Sequence, residues 1–192
     1  MVKLGFIVEG ETEKIICESE NFKSWLLSLN IELILPVIDA KGGGNLLPHN
    51  IETLINILKG KSVDHIVVLT DIESEPDIIT VKNRISSSEL HDVFVTLKAI
   101  ESWFLAATPA LRSWLKDTEY YINDPEDLSI LPWDRLKDIT KQLGKEGPGP
   151  SKPMFAKKMI DRFGFNILDV LEHEKCNSVK YIKYKLENIE NI

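Results

Sequence analysis

The chain has 192 residues, 43% of them hydrophobic, and a formal net charge of -7. Its length supports one principal core with a small accessory unit, not two full-sized domains. Apolar runs such as Ile66–Leu69 are far too short to cross a bilayer and the first residues carry no secretory pattern, so a soluble, cytoplasmic protein with no membrane partner is expected.

In chain order, Leu4–Val8 is a short apolar run that stops at Glu9 and Gly10, and Thr12, with acids on either side, opens a helical pattern. A strand, a tight turn and a helix are predicted, the helix running over 12–29 through Ile15, Ile16, Phe22, Trp25 and Leu26. Ile31–Ile38 reads as a second strand despite Pro36. Asp39, Ala40, Lys41 and three glycines follow, and the glycines read either as a mobile turn or as backbone amides that approach a phosphate. Helical periodicity returns over 45–59 and ends at Gly60. His65–Thr70 is β-branched and free of charged residues after His65, the pattern of a strand buried on both faces, and it stops at Asp71. A helix over 77–90, a fourth strand at Val93–Leu97 and a helical segment opened by Glu101 complete the alternation.

Four such strand–helix successions predict a three-layer α/β fold with a mainly parallel central sheet of about four strands. A soft boundary near residue 109 divides an α/β core, 1–109, from a mainly helical C-terminal extension, 110–192, packed on it. Within the extension, helices are expected at 111–115, 133–143, 154–163 and 179–192, and residues 144–153, rich in Gly and Pro, are irregular. Cys17 and Cys176 stand alone and read as free thiols, and the four histidines are scattered and get no role.

The negative net charge argues at first against a nucleic-acid partner, since phosphate binding draws on Lys and Arg. The charge is uneven, however: from Arg135 to Arg162 eight basic residues stand against three acidic ones, a local balance of +5 that leaves -12 for the remainder. A solvated helix face and a polyanion site both fit this run.

In a parallel sheet, ligands bind at the carboxyl ends of the strands. Glu9, Asp71 with Glu73, and Glu101 each follow a predicted strand, so all can project from one rim. Crowded carboxylates repel one another unless a cation joins them, and hard oxygen donors suit Mg²⁺ or Mn²⁺. Glu75 and Asp77 are further donors or a solvated turn; Glu9 and Glu13 also fit helix-end roles near the dipole. Trp103 and Phe104, after Glu101, read as core or as a base-stacking patch.

Val8-Glu9-Gly10-Glu11-Thr12-Glu13, followed later by an apolar strand ending in Asp71-Ile72-Glu73, resembles the Toprim domain shared by topoisomerases, primases, small ribonucleases and nucleases of the OLD (overcoming lysogenization defect) type. With Glu101-Ser102-Trp103-Phe104 and the run from Ser151, the whole chain looks like stand-alone Toprim-like proteins of the OLD branch. The resemblance implies that Glu9, Asp71 and Glu73 hold Mg²⁺ or Mn²⁺ during phosphoryl transfer on DNA or RNA, Glu73 standing where the family has Asp. Glu13 matches a further acid of the OLD-type nucleases, and Glu101 completes the expected metal set. The resemblance makes Glu9, Asp71 and Lys152 the expected catalytic residues, Lys152 on the Gly/Pro loop, with Lys157 second, being the lysine that would neutralise charge at a scissile phosphate. Tyr120 and Tyr121 lie in a polar segment away from the acids, so hydrolysis is favoured over a topoisomerase-like transesterification.

The expectation is a divalent-metal-dependent nuclease or related phosphoryl-transfer enzyme, acting in phage defence or DNA repair. The alternative is a non-catalytic Toprim-like module that binds nucleic acid or a partner protein encoded nearby. A nucleotide-binding domain is disfavoured by the lack of GxxxxGK[ST] or GxGxxG.

Overall fold

β1 (Val2–Val8) lies at the centre of a sheet in which every pairing is parallel. The computed structural model describes residues 1–127 and 129–191; Leu128 in the polar segment and Ile192 at the end of the last predicted helix lie outside the described residues. One edge of β1 carries β4 (His65–Asp71), with β5 (Asp92–Thr96) beyond it. The other edge carries two short strands in succession, β2 (Ile31–Leu33) and then β3 (Ile38–Asp39). The predicted second strand is therefore two, because Pro36, which has no N–H to give a ladder, interrupts the pairing. The sheet has five strands where about four were expected.

Strand alternation sends side chains to two apolar layers. Leu4, Phe6 and Val8 of β1, Val67 and Leu69 of β4 and Phe94 of β5 belong to the larger cluster, with Phe6 edge-on to Phe22. Ile7, Ile66, Val68, Val93 and Val95 face the smaller one. That second layer is closed by α3 (Pro48–Lys59) and α4 (Ile78–Arg84) through Ile51, Ile55, Leu58 and Val81. α3 comes so close that a Cβ on Gly5 would stand 2.9 Å from Leu58 Cδ1. Each fully buried Leu, Ile or Phe contributes about 1.5–3 kcal/mol, so two such layers hold the rim rigidly.

The larger layer is covered by α1 (Glu11–Cys17), α2 (Glu20–Ser28), α5 (Ser102–Ala106), α6 (Thr108–Leu115), α7 (Pro132–Gln142), α8 (Lys152–Phe163), α9 (Ile167–Glu172) and α10 (Asn177–Glu187). Its core draws residues from both sides of position 109, Phe94 and Trp103 as well as Phe155 and Ile182. Trp103 and Phe104 are fully buried, the core reading of that pair.

The helix expected over 12–29 is broken at Glu18–Ser19: Ser19 caps α2 by accepting from the Phe22 N–H and donates its own hydroxyl to Ile16 O. The helix expected over 77–90 stops at Arg84, and α9 was not anticipated. α9 is short and takes its start from Asn166, while Asn21 of α2 holds it in place by accepting from Ile167 N at 3.2 Å. Glu126, buried within the polar segment, accepts from the backbone of Asn177 at 2.6 Å and of Ser178 at 3.1 Å and so satisfies the start of α10. Among the described residues no helix is long and apolar enough to cross a membrane, and both cysteines are buried free thiols.

Candidate metal centre

Register determines which side chains share the rim. Val8 is level with Leu69 and with Asp39, and Asp71 with Thr96, so Glu9, Asp71 and the residues after β3 and β5 emerge at one height. A pocket of ≈330 Å³ opens there, and Glu9, Glu13, Asp71, Glu73, Glu101 and Lys152 all line it. The acids at the strand ends, Glu13 and Lys152 are thus brought together, across more than a hundred positions of chain.

Each acid is held differently. Glu9 follows β1, and its Oε2 accepts from the hydroxyl of Thr70, the residue level with it on β4. Gly42 N–H donates to Glu9 O at 2.8 Å, and a Cβ on Gly43 would lie 3.1 Å from Glu9 Oε1. The glycine run serves to let this loop close over Glu9, and the Gly42 amide is not free for a phosphate. Glu13 lies on α1, one turn from the strand end, and is only 5% exposed. Asp71 is 8% exposed; its Oδ1 accepts from the Thr96 hydroxyl and from Ile100 N at 2.9 Å. Glu101, 1% exposed, precedes α5 without capping it and meets the Lys152 ammonium at 3.1 Å. Lys152 is the first residue of α8, and α8 packs on α1, which is how the extension delivers a cation to the acids.

The burial of so many carboxylates has an electrostatic consequence. Burial, then the charges of Glu101 and Glu9, push the Glu13 carboxyl up to about 7. Burial, then Glu13, with Glu101 and Glu9 behind it, hold Asp71 well above the ordinary carboxylate range against the opposing hydrogen bond from Thr96. Burial raises Glu101 despite Lys152. For Lys152 burial acts downward, but Glu101, Asp71 and Glu13 outweigh it and keep the ammonium above its usual value. Lys41 and Lys152 stand against Glu9, Glu11, Glu13, Asp39, Asp71, Glu73 and Glu101 in this pocket, which leaves room for added positive charge.

Among the described residues, no three His, Cys, Asp or Glu side chains are already gathered as ligands about one point. The chemistry of the donor set nonetheless fits a hard divalent ion: all donors are carboxylate oxygens, and a cation would relieve the repulsion that raises Glu13 and Asp71. Asp71 Oδ2 has no donor among the described residues, because Thr96 and Ile100 both serve Oδ1.

Other residues considered from the sequence lie elsewhere. Glu75 pairs with Arg84 at 2.7 Å and Asp77 caps α4 through Thr80 N, so neither joins the pocket. Lys157 belongs to a separate groove with Met154, Lys158, Asp161 and Arg162. Tyr121 stacks on His173 and lies outside the acid pocket. Conversely, Asp39, Lys41, Thr70 and Thr96 had been given no part. Asp39 ends a strand as Asp71 does, a signal hidden by reading β3 as the tail of β2; the threonines look in sequence like ordinary strand residues.

Gly43→Ala tests the loop contact. Its added Cβ is expected to displace the Glu9 carboxylate and weaken Mn²⁺ affinity about tenfold, the lower end for groups that orient ligands. Gly44→Ala, with nothing within 4 Å, is the control. Calorimetric affinities equal in the two variants would remove Glu9 from the ligand set.

A parallel sheet covered by helices on both faces, with acids at its carboxyl rim, defines a three-layer α/β protein. Two solved structures are similar to the chain. The C-terminal region of the Burkholderia pseudomallei OLD protein is 19% identical with a TM-score of 0.46, over 96% of this chain and 98% of that one. The C-terminal region of the Xanthomonas campestris pv. campestris OLD protein is 17% identical with a TM-score of 0.40, over 99% and 98%. No family model and no curated protein matches the chain.

Proposed function

We propose that the chain is a Mg²⁺- or Mn²⁺-dependent phosphodiesterase of the OLD-type Toprim kind, a nuclease acting on DNA or RNA in defence or repair. The observation that carries this reading is the convergence of Glu9, Glu13, Asp71, Glu73 and Glu101 with Lys152 on one pocket. Glu9, Glu13, Asp71 and Glu73 are the residues that would hold the ion, with Glu101 at the buried end of the set. Bound there, a divalent ion supplies Lewis acidity toward a phosphodiester and a lowered pKa for water. Glu9 either binds that ion or takes the proton of the attacking water. Lys152, aimed by Glu101, neutralises charge that develops on the phosphoryl oxygens.

Single- and double-stranded DNA and RNA incubated with Mn²⁺ are expected to be cut by the wild type and spared by Asp71→Ala; equal cutting by both proteins would end the assignment. A second reading, a Toprim-like module that binds nucleic acid or a partner protein without catalysis, is favoured by Glu73. That residue occupies the family's Asp position with one more methylene, on left-handed backbone of φ 49°. Calorimetry showing no Mn²⁺ uptake, with partner binding unchanged in Glu9→Gln, would select it.

A further inference from the structure

Three strands end alike. Two residues beyond β3, β4 and β5 stand Lys41, Glu73 and Lys98, none of them glycine, and each has left-handed backbone with φ of 59°, 49° and 67°. Such a conformation is unfavourable for an ordinary residue and persists only where the surroundings impose it. Here they do: Lys41 N–H donates to Asp39 Oδ1 at 2.7 Å, and Glu73 N–H donates to Lys98 O at 3.0 Å.

Sheet order turns this repeat into a pattern of charge. β3 and β5 lie on opposite sides of the β1–β4 pair, so the rim reads Lys41, Glu9, Asp71 with Glu73, Lys98. A cation stands at each end and the acids lie between. Three strand spacings separate the two lysine positions, roughly 14 Å. Lys41 lines the acid pocket itself, and Lys98 lines an adjoining hollow of ≈220 Å³ whose shared wall is Glu73. Among the described residues neither ammonium takes part in an ion pair, whereas Lys152 is engaged by Glu101.

We propose that Lys41 and Lys98 hold backbone phosphates on either side of the acid cluster, so that a nucleic-acid strand lies across the rim from β3 to β5. The proposal rests on the nuclease reading for its substrate class and adds the path of the strand and the residues that hold it. Glycine tolerates left-handed backbone, so Lys41→Gly and Lys98→Gly remove the charge without straining the turn; Lys→Arg at each position retains the charge.

The test is fluorescence anisotropy of short labelled DNA and RNA single strands in Ca²⁺, read as the dependence of log K on log salt. Each glycine variant is expected to flatten the slope by about 0.7 and the double variant by about 1.4, with the arginine variants at the wild-type slope. Mn²⁺ still stabilises all of them, which reports an intact fold and acid cluster. Slopes equal to wild type in the double variant, or no binding of either strand by the wild type, overturn the strand path. Cleavage assays with Mn²⁺ separate the two ideas. A wild type that binds with the expected slopes but does not cut keeps the path and discards the nuclease reading; cutting with unchanged slopes does the reverse.

Discussion

Asp71→Asn is expected to abolish metal-dependent cleavage while making the metal-free protein more stable. The amide is isosteric, and its oxygen still accepts from Thr96 and from Ile100 N, so the packing around β4 and β5 is retained. What changes is charge. Burial first, then the charges of Glu13, Glu101 and Glu9, hold the Asp71 carboxyl well above the ordinary range, and an uncharged amide escapes both penalties. A gain of roughly 1–3 kcal/mol follows from the scale of buried ionised groups at a pH where the carboxyl is deprotonated, or about 2–4 °C in Tm for each kcal/mol in a chain of this size. The same substitution deletes a ligand, and metal-ion catalysis supplies several kcal/mol, so cleavage falls by about three orders of magnitude. Paired thermal melts in EDTA and cleavage assays in Mn²⁺ check both halves. A variant that is destabilised yet active would mean that Asp71 is a structural residue.

The metal-free protein is expected to lose stability as pH rises toward and through neutrality. Glu13 titrates near 4.5 when unfolded and at about 7 in the fold, so between these values the folded protein holds a proton that the unfolded chain has released. This contribution is complete below about pH 4.5 and is lost as pH rises through 7, up to about 3 kcal/mol at 1.36 kcal/mol per unit. Asp71 and Glu101 shift in the same direction and add the same sign. Lys152, raised above its ordinary 10.5, bears on a more alkaline range. Asp77 and Asp127 are lowered, so the stability they confer is lost only in acid, below 3.8. A divalent ion binds the deprotonated cluster and therefore reverses the slope. Melts from pH 5 to 8 are expected to fall by roughly 5–10 °C in EDTA and to rise in Mn²⁺. A flat profile in both would show that the acids neither repel one another nor meet a cation.

Residue order alone determined the alternation of strand and helix, because a run such as Val67–Leu69, apolar on both faces, is stable only inside a covered parallel sheet. It also placed Glu9 and Asp71 at strand ends, which a parallel sheet brings to one rim. Local signals were weaker where one side chain overrules periodicity: the Ser19 cap that divides α1 from α2, and Pro36 between β2 and β3. Only the tertiary structure decided what surrounds the acids. Lys152 reaches Glu101 because α8 packs on α1. Thr70 and Thr96 grip Glu9 and Asp71 because register puts them level. The flanking places of Lys41 and Lys98 depend on sheet order, which is not written in the order of the strands along the chain. Local preference depends on neighbours a few positions apart and is legible in sequence; a carboxylate's burial and its charged company are long-range properties that exist only once distant elements pack.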